Sequence, residues 1–526
     1  MFNYLLIIFL AIYLLSLSVR LKKQIYMLQL NSNRNTRYLH WLKRNLIKVF
    51  SLKDLLFIIP FVALIFISNK LSLILFILII LLTIFLNKNN EIKQKLVYTQ
   101  RIKRLLFTIA FLIFLIFTIF YLLIIATNFI LFIMILFLIL INPYTLVLIA
   151  NLINKPLEYF ITDYYHRDAR KIISSMPFLK VIGITGSFGK TSTKYILSKI
   201  LIKKYDVLMT PGNYNTTLGV IRTIRQYLKP TNNMFICEMG AKQKGDIKEI
   251  CDLVRPSIGI LTSIGEMHLE NFKTMENIMS TKNELLMSLP DSGIGIINMD
   301  NEYIKKLPRK NGVKYISYGI YSDNLDFLAN NIVLSTKGTS FDIIYKEIST
   351  NFTTKLLGEH NIYNILAGVC AGVELGVSLE AMVLSIKDLE PIPHRLQLKK
   401  NSIGLTIIDD AYNSNPVGSK MALEVLKYMK ASKRILLTPG MIELGEKEYE
   451  LNKQFGVEAA GSCDYVILVG KKQTLPILEG LKEASFSEDL IYVAANLQEA
   501  FKKALSIGDK DSVILLENDL TDDYNE

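Results

Sequence analysis

Apolar residues run almost unbroken through five stretches of the first 150 positions, then give way to short, spaced runs. The five are Phe2 to Val19, Leu55 to Ile67, Leu71 to Phe85, Leu105 to Ala126 and Phe129 to Ile141, the last continuing past Asn142-Pro143 to Ala150. A helix needs about 20 apolar residues to cross a bilayer, with roughly 17 as the lower limit, so the second and third runs are short. Ser68-Asn69-Lys70 between them reads as the polar turn of a hairpin fitted by bilayer thinning or snorkelling; one bent helix is the alternative. From Phe178 the texture becomes β-branched runs followed by helical stretches, which predicts a parallel sheet with crossover helices. Leu179 to Thr185 (LKVIGIT) reads as a buried strand that feeds a helix over TKYILSKILIKKY. Segment 290–357, rich in β-branched residues and turns, is the tail of that unit. Strands near Leu405 to Ile408, Arg434 to Thr438, Tyr465 to Val469 and Ser512 to Leu516 predict a second α/β unit from about residue 396. The expected plan is an α-helical membrane bundle of about five crossings (1–150), a linker (151–177) and two α/β domains (178–395 and 396–526).

Composition agrees with a membrane region. The chain is 51% hydrophobic and only 20% charged, with a mean hydropathy of +0.32, above what a soluble chain carries. Residues 1–150 hold 16 Lys and Arg against only Asp54 and Glu91, so the net charge of +13 belongs to that region and the remainder is nearly neutral. A basic nucleic-acid groove needs its charge on the folded binding domain, so nucleic acid is excluded as a partner. Arg20 to Lys53 contains nine Lys and Arg and no acid, and Lys88 to Arg104 contains six with Glu91 opposing. Both loops are therefore expected in the cytoplasm, with the chain after residue 150 on the same side. Residues 1–19 lack a basic leader and a small-residue cleavage site and read as a retained anchor. No acid or base interrupts the first, fourth or fifth run, which counts against a transporter.

The four cysteines (Cys237, Cys251, Cys370, Cys463) have neither disulfide-framework nor metal spacing and read as buried reduced thiols. The chemistry begins where LKVIGIT runs into Gly186-Ser-Phe-Gly-Lys-Thr-Ser192 and then a helix. Glycines let backbone N–H groups face phosphate, and a helix N-terminus adds partial positive charge. Lys190 would sit on the β/γ-phosphates of a nucleotide, and Thr191 or Ser192 would offer a hydroxyl to Mg²⁺. The general G-x-x-x-x-G-K-[ST] pattern is not met, since Ile184 replaces its first glycine.

VIGITGSFGKTSTKYIL resembles the ATP loop of the Mur ligases, the ATP-dependent enzymes that build the peptidoglycan peptide. Later segments agree in order: TPGNYNTTLGV (Thr210 to Val220), ICEMGAKQKGDIKEI, LTSIGEMHLENFKTMENIMSTKNELL, GEHNIYNILAG, PIPHRLQL, DDAYNSNPVGSKMAL and TPGMIELGEKEYE. The last two favour the D-alanyl-D-alanine-adding (MurF-type) branch. The resemblance covers roughly residues 175–500 and implies a P-loop central domain and a Rossmann-like C-terminal domain. It also implies that ATP phosphorylates a carboxylate and that an amine attacks the acyl phosphate to give an amide. By the same resemblance Gly186, Ser187, Gly189, Lys190, Thr191 and Ser192 cradle ATP. Glu238, at the end of the apolar strand NMFICE, is a Mg²⁺ ligand, a role that would also explain a carboxylate in a place where burial is costly. His268 is implied as the second metal-site residue, and Lys282 matches the position where many members carry a carbamylated lysine. Asn361 and Asn364 match adenine contacts, Arg395 an arginine that closes the nucleotide site, and Asp410 a ribose or hinge contact. Asn213 and Thr216 or Thr217 line the acceptor cleft.

Two departures bear on substrate. Family members of this branch begin with a soluble domain that grips the UDP-sugar peptide, and here the membrane region stands in its place. The acceptor is then either a UDP-linked muramoyl peptide held by what remains or a lipid-linked precursor presented by the membrane, whose pyrophosphate the basic loops would meet. The ending SVILLENDLTDDYNE differs from the branch's usual lysine-glycine-serine segment, so D-alanyl-D-alanine is the default amine, with another amino acid or ammonia next. The expected function is a multi-pass ligase of the bacterial cell membrane with cytoplasmic catalytic domains, dependent on ATP and Mg²⁺. An ATP-binding scaffold or regulator of cell-wall synthesis is the alternative from another class.

Overall fold

A computed structural model of the 526-residue chain describes residues 2–31, 33–44, 69–86, 96–124, 129–267, 269–335, 338–401, 404–411, 414–442 and 444–519, with positions 56, 59, 60 and 62. The chain folds as two compact units, Met1–Tyr164 and Tyr165–Glu526.

The first unit is helical: Phe2–Leu30, Asn35–Arg44, Asn69–Leu86, Gln100–Ile124, Phe129–Ile141 and the start of Pro143–Ser174. Its core joins Phe9, Tyr13 and Leu17 to Leu73, Phe76, Leu105, Ile109 and Leu136, and the Tyr13 hydroxyl donates to the Leu136 carbonyl at 2.9 Å. Among the described residues only Tyr4–Leu30 and Gln100–Ile119 are long and apolar enough to cross a membrane. The helices Ile133–Ile141 and Pro143–Ser174 meet at 81° and make a third span only if taken together. Pro143 explains the break, because proline lacks an N–H and disfavours helix at the residue before it. By length and composition the described residues thus offer two or three spans, against the five crossings expected of the whole region. The third run gives only a short apolar helix, Lys70–Phe85, and the second, Leu55 to Ile67, lies almost wholly outside the described residues. The stretch read as a linker is helical through Ser174, past Pro156.

The second unit holds two sheets. The first has nine strands: β1 (Lys180–Thr185), β2 (Val207–Met209), β3 (Met234–Glu238), β4 (Ile258–Leu261), β5 (Ile294–Asn298), β6 (Lys314–Gly319), β7 (Phe327–Ser335), β8 (Gly338–Tyr345) and β9 (Ile348–Thr354). Their order is β2-β3-β1-β4-β5-β6-β7-β8-β9, parallel as far as β7 and antiparallel beyond. Strands β1, β3 and β4 are buried along nearly their whole length, as β-branched strands covered on both faces must be. One face packs on the helices Lys190–Leu201 and His360–Glu374 through Ile196, Leu197, Ile200, Ile365 and Leu366. The other face packs on the helices Thr217–Tyr227, Asp246–Val254 and Met275–Met287 through Val220, Ile250 and Leu285.

The second sheet comprises β10 (Gln397–Lys400), β11 (Thr406–Asp410), β12 (Arg434–Thr438), β13 (Tyr465–Val469), β14 (Ile491–Ala494) and β15 (Val513–Glu517). Its order is β10-β11-β15-β12-β13-β14, parallel except for β10. Chemistry in such sheets collects at the carboxyl ends of strands, where Glu238 closes β3, Asp410 closes β11 and Glu517 closes β15.

Candidate active site

Strand β1 ends at Thr185 and turns through Gly186 (φ 154°) and Gly189 (φ 81°) into the helix Lys190–Leu201. Neither glycine is replaceable on steric grounds. A Cβ on Gly186 would lie 2.1 Å from Thr262 Oγ1, and one on Gly189 would lie 2.5 Å from Asn364 Oδ1. The loop is pinned from the end of β4. Phe188 N–H donates to Ser263 Oγ (2.9 Å), Thr262 Oγ1 donates to the Phe188 carbonyl (2.6 Å), and Ser187 Oγ donates to the Gly265 carbonyl (3.0 Å). Lys190 Nζ folds back on the loop, donating to the carbonyls of Gly186 (2.6 Å) and Ser187 (2.9 Å). Burial pushes its pKa down to about 8, with Glu238 opposing and the Arg395 cation assisting.

Parallel pairing of β1 with β3 sets Ile184 opposite Glu238, so that carboxylate stands beside the loop. Thr191 Oγ1 donates to Glu238 Oε1 at 3.1 Å, and Asn215 Nδ2 donates to the same oxygen at 3.0 Å. The other oxygen, Oε2, is 2.9 Å from Lys194 Nζ, which also donates to the Gly212 carbonyl at 2.6 Å. Lys194 has no exposed surface. Burial pushes the Glu238 carboxyl up, but the Lys194 charge and hydrogen bond outweigh it and hold the group below the ordinary carboxylate range. Lys194 and Asn215 were not singled out by sequence. Lys194 lies one helical turn beyond Lys190, on the same face, and that spacing is the signal that could have found it.

Asn361 and Asn364 are buried on the first turns of the helix His360–Glu374. Asn364 Nδ2 donates to Asn361 Oδ1 (3.3 Å), and Thr193 Oγ1 donates to Asn364 Oδ1 (3.2 Å), so Asn364 abuts the phosphate loop at Gly189, while Asn361 Nδ2 donates to the Leu357 carbonyl (2.8 Å). His360, beside them, is driven down to about 4 by burial and by Arg395, and its Nδ1 makes no hydrogen bond. Lys282, on the helix Met275–Met287, is buried; burial first, and Lys190 second, hold its amine well below the ordinary lysine range. Thr216 caps the helix Thr217–Tyr227 by accepting from Gly219 N–H at 3.3 Å. Asn213 and Thr217 lie in the same segment, but it is Asn215 that reaches Glu238. No contact of the Ser192 hydroxyl enters this network. His268 lies outside the described residues.

The second sheet faces the same loop. Arg395 is close enough to act electrostatically on Lys190, His360, Asp410 and Glu517. Asp410, at the end of β11, and Glu517, at the end of β15, are register partners. Burial drives Asp410 up to about 6 against the pull of Arg395, and burial with the Asp410 charge drives Glu517 well above the ordinary range. Asp410 Oδ1 accepts from Leu396 N–H at 3.2 Å, and Glu517 Oε1 accepts from Ser414 Oγ at 2.6 Å. Lys447, from the second sheet's domain, pairs with Glu266 beyond β4.

The donors suit a nucleotide and its cation. Thr191 Oγ1 and Glu238 Oε1 are adjacent hard oxygens of the kind Mg²⁺ takes. Among the described residues no group of three or more His, Cys, Asp or Glu forms a metal cluster.

Residues 184–372 match the family model of the Mur ligase middle domain, and residues 394–517 match that of the Mur ligase glutamate ligase domain. The UDP-N-acetylmuramoyl-tripeptide--D-alanyl-D-alanine ligase of Escherichia coli (strain K12) is 30% identical over 335 residues, covering 61% of this chain and 73% of that protein. Its counterpart in Bacillus subtilis (strain 168) is 32% identical over 294 residues, 56% of this chain and 63% of its own length. Among solved structures, MurF ligase from Thermotoga maritima in complex with ADP superposes with a TM-score of 0.61 at 25% identity, over 68% of this chain and 80% of that one. MurF from Acinetobacter baumannii shares the fold with a TM-score of 0.61 at 24% identity, over 68% and 77% of the two chains.

Proposed function

The chain belongs to the Mur ligase family of ATP-dependent amide ligases, and we propose that it is a membrane-anchored member acting on a peptidoglycan precursor. In this reading the bundle 1–150 and the segment 151–177 tether a central domain (178–395) and a C-terminal domain (396–526) at the cytoplasmic face of a bacterial membrane. The reaction joins a muramoyl-peptide carboxylate to an amine, D-alanyl-D-alanine by default. The observation that carries the reading is the phosphate loop set against Thr191 and Glu238, with Arg395 and Asp410 brought to it from the second sheet.

When bound, ATP and Mg²⁺ supply the phosphoryl group and neutralise charge during its transfer. The N–H groups around Gly186 and Gly189 bind phosphate oxygens. Lys190 exchanges two loop carbonyls for phosphate, and so regains its full positive charge. Thr191 and Glu238 hold the cation, while Lys194 keeps Glu238 ionised and fixed. Asn361 and Asn364 present a donor and an acceptor to the purine edge. Burial holds the Lys282 amine well below the ordinary lysine range, toward the neutral form that takes up CO₂, which supports its carbamylation. His268 would complete that metal site.

The family matches begin at residue 184, and the elements described before β1 are helices, where the branch carries its UDP-gripping domain. That favours a second reading in which the acceptor is lipid-linked. The test is ADP release by the detergent-purified full-length protein, offered D-alanyl-D-alanine with a soluble UDP-linked muramoyl tripeptide or its lipid-linked counterpart, with product masses recorded. Turnover on either is expected; silence with both acceptors and with other amines would replace the ligase by the ATP-binding scaffold.

A further inference from the structure

We propose that the membrane unit itself binds the pyrophosphate headgroup of a polyprenyl-type lipid, at the end where the Asn33–Asn35 turn meets two helices. The proposal rests on the lipid-linked reading for the identity of the lipid, but its site is argued from the unit's own residues. Arg101, Arg104 and Thr108 fall at i, i+3 and i+7 on the helix Gln100–Ile124, so they share one face. Asn151, Asn154 and Glu158 repeat that spacing on the helix Pro143–Ser174, and the two stripes face each other. Arg104 Nε donates to Glu158 Oε1 at 2.7 Å, and Thr108 Oγ1 donates to Asn154 Oδ1 at 3.0 Å. Asn151 Nδ2 donates to the Asn33 carbonyl (3.1 Å) and Asn35 Oδ1 (2.6 Å), and Arg101 Nη2 donates to the same Asn33 carbonyl (3.3 Å).

What the seam leaves over identifies its ligand. Asn154 is 8% exposed, yet its Nδ2 makes no hydrogen bond; neither does Arg101 Nε, which stands 4.0 Å from Glu158 Oε2, nor the acceptor Asn33 Oδ1. A polar seam that served only to join helices would satisfy its own donors, because an unsatisfied polar group away from water is costly. Among the described residues the unfilled groups are chiefly donors, and the seam sets Arg101 and Arg104 against one carboxylate, Glu158. Arg101 and Arg104 side chains are about a third exposed, at 35% and 32%, so the seam opens outward. A ligand rich in acceptor oxygens and negatively charged fits, and arginine forks match phosphate bidentately. Asn33 Oδ1 would accept from a headgroup hydroxyl.

The test uses full-length protein in phosphatidylcholine nanodiscs, with retention of a polyprenyl pyrophosphate read by native mass spectrometry. Retention is expected, and Arg101→Gln and Asn154→Leu should each weaken it about tenfold or more, as loss of a charge-assisted hydrogen bond does. Arg101→Lys, which keeps charge and helix but loses the fork, should weaken it too, and Thr118→Val, on the exposed side of the same helix, should not. Equal retention of polyprenol, phosphatidylglycerol or inorganic pyrophosphate would overturn the proposal, as would unchanged retention in Arg101→Gln and Arg101→Lys. Headgroup binding without ADP release under any acceptor would leave this site standing and remove the ligase reading. ADP release on the soluble acceptor without headgroup binding would do the reverse.

Discussion

Two buried acidic corners occupy the same place in two parallel sheets, and their carboxyl groups are shifted in opposite directions. Glu238 closes β3 and is held ionised; Asp410 and Glu517 close β11 and β15 and are held protonated more readily than usual. Burial acts in the same direction on all three. The difference is the position of one cation. Lys194 sits directly on Glu238 at 2.9 Å within the same domain, whereas Arg395 must serve Asp410, Glu517 and the loop together. A carboxylate beside an ammonium is ready for a metal ion; a pair sharing a proton is ready to donate or accept a hydrogen bond. The site thus divides labour between a permanently charged half and a half whose charge depends on what Arg395 faces.

Lys194→Met should erase the contrast and have the largest effect. Removing one partner of a buried pair costs about 3–5 kcal/mol, so denaturant unfolding of the catalytic unit should shift strongly, and Glu238 should titrate upward toward the behaviour of Glu517. A melt unchanged from wild type would refute the role of Lys194. Lys190→Ala should instead leave unfolding intact and cut turnover by roughly 10²-fold or more, as loss of an electrostatic contact to transferring phosphate does. In the wild type, ADP affinity should weaken as pH rises through about 8, where free Lys190 loses its proton. Calorimetry in buffers of different ionisation enthalpy should record proton uptake on binding, absent in the variant.

Glu517→Gln sharpens the other side. A carboxyl raised in the folded state keeps a proton that the unfolded chain releases. Its stabilisation is complete below the unfolded value near 4 and is lost as pH rises through about 6 for Asp410. Thermal unfolding followed from pH 4 to 7 should therefore lose stability on that account, and Glu517→Gln should flatten the slope. The smallest effect is expected from Lys447→Ala, which removes a largely solvated ion pair with Glu266 worth at most about 1 kcal/mol. A larger loss in the melt would mean that the two domains depend on this contact.

The central fold was legible because buried parallel strands are apolar without interruption. LKVIGIT and NMFICE could be read at once, and a carboxylate ending such a strand announces itself. Loop phase is different, since a loop has no period to follow: the segment 213–217 pointed to the acceptor cleft, but the geometry gives the Glu238 contact to Asn215. Strand β10 (QLKK) was unread because a polar, half-exposed edge strand carries little of that apolar signal, and the edge strand β14 (IYVA) because its apolar run is only four residues long and partly exposed. The apolar runs of the first 150 residues read less directly for a related reason. Run length alone cannot register an 81° break at Pro143 or a helix that stops at Phe85.

Strand β15 lies between β11 and β12, although it follows every other strand in the chain. During synthesis the second sheet is therefore left open at its centre until residues 513–517 emerge. At about 5–20 residues per second, roughly 20–70 s separate the emergence of the catalytic unit's first residues from the arrival of Glu517. Membrane helices and the phosphate loop are made well before that time. Newly made chains should thus acquire their nucleotide-closing half last, and a ribosome stalled before residue 513 would display a formed loop with nothing to shut it.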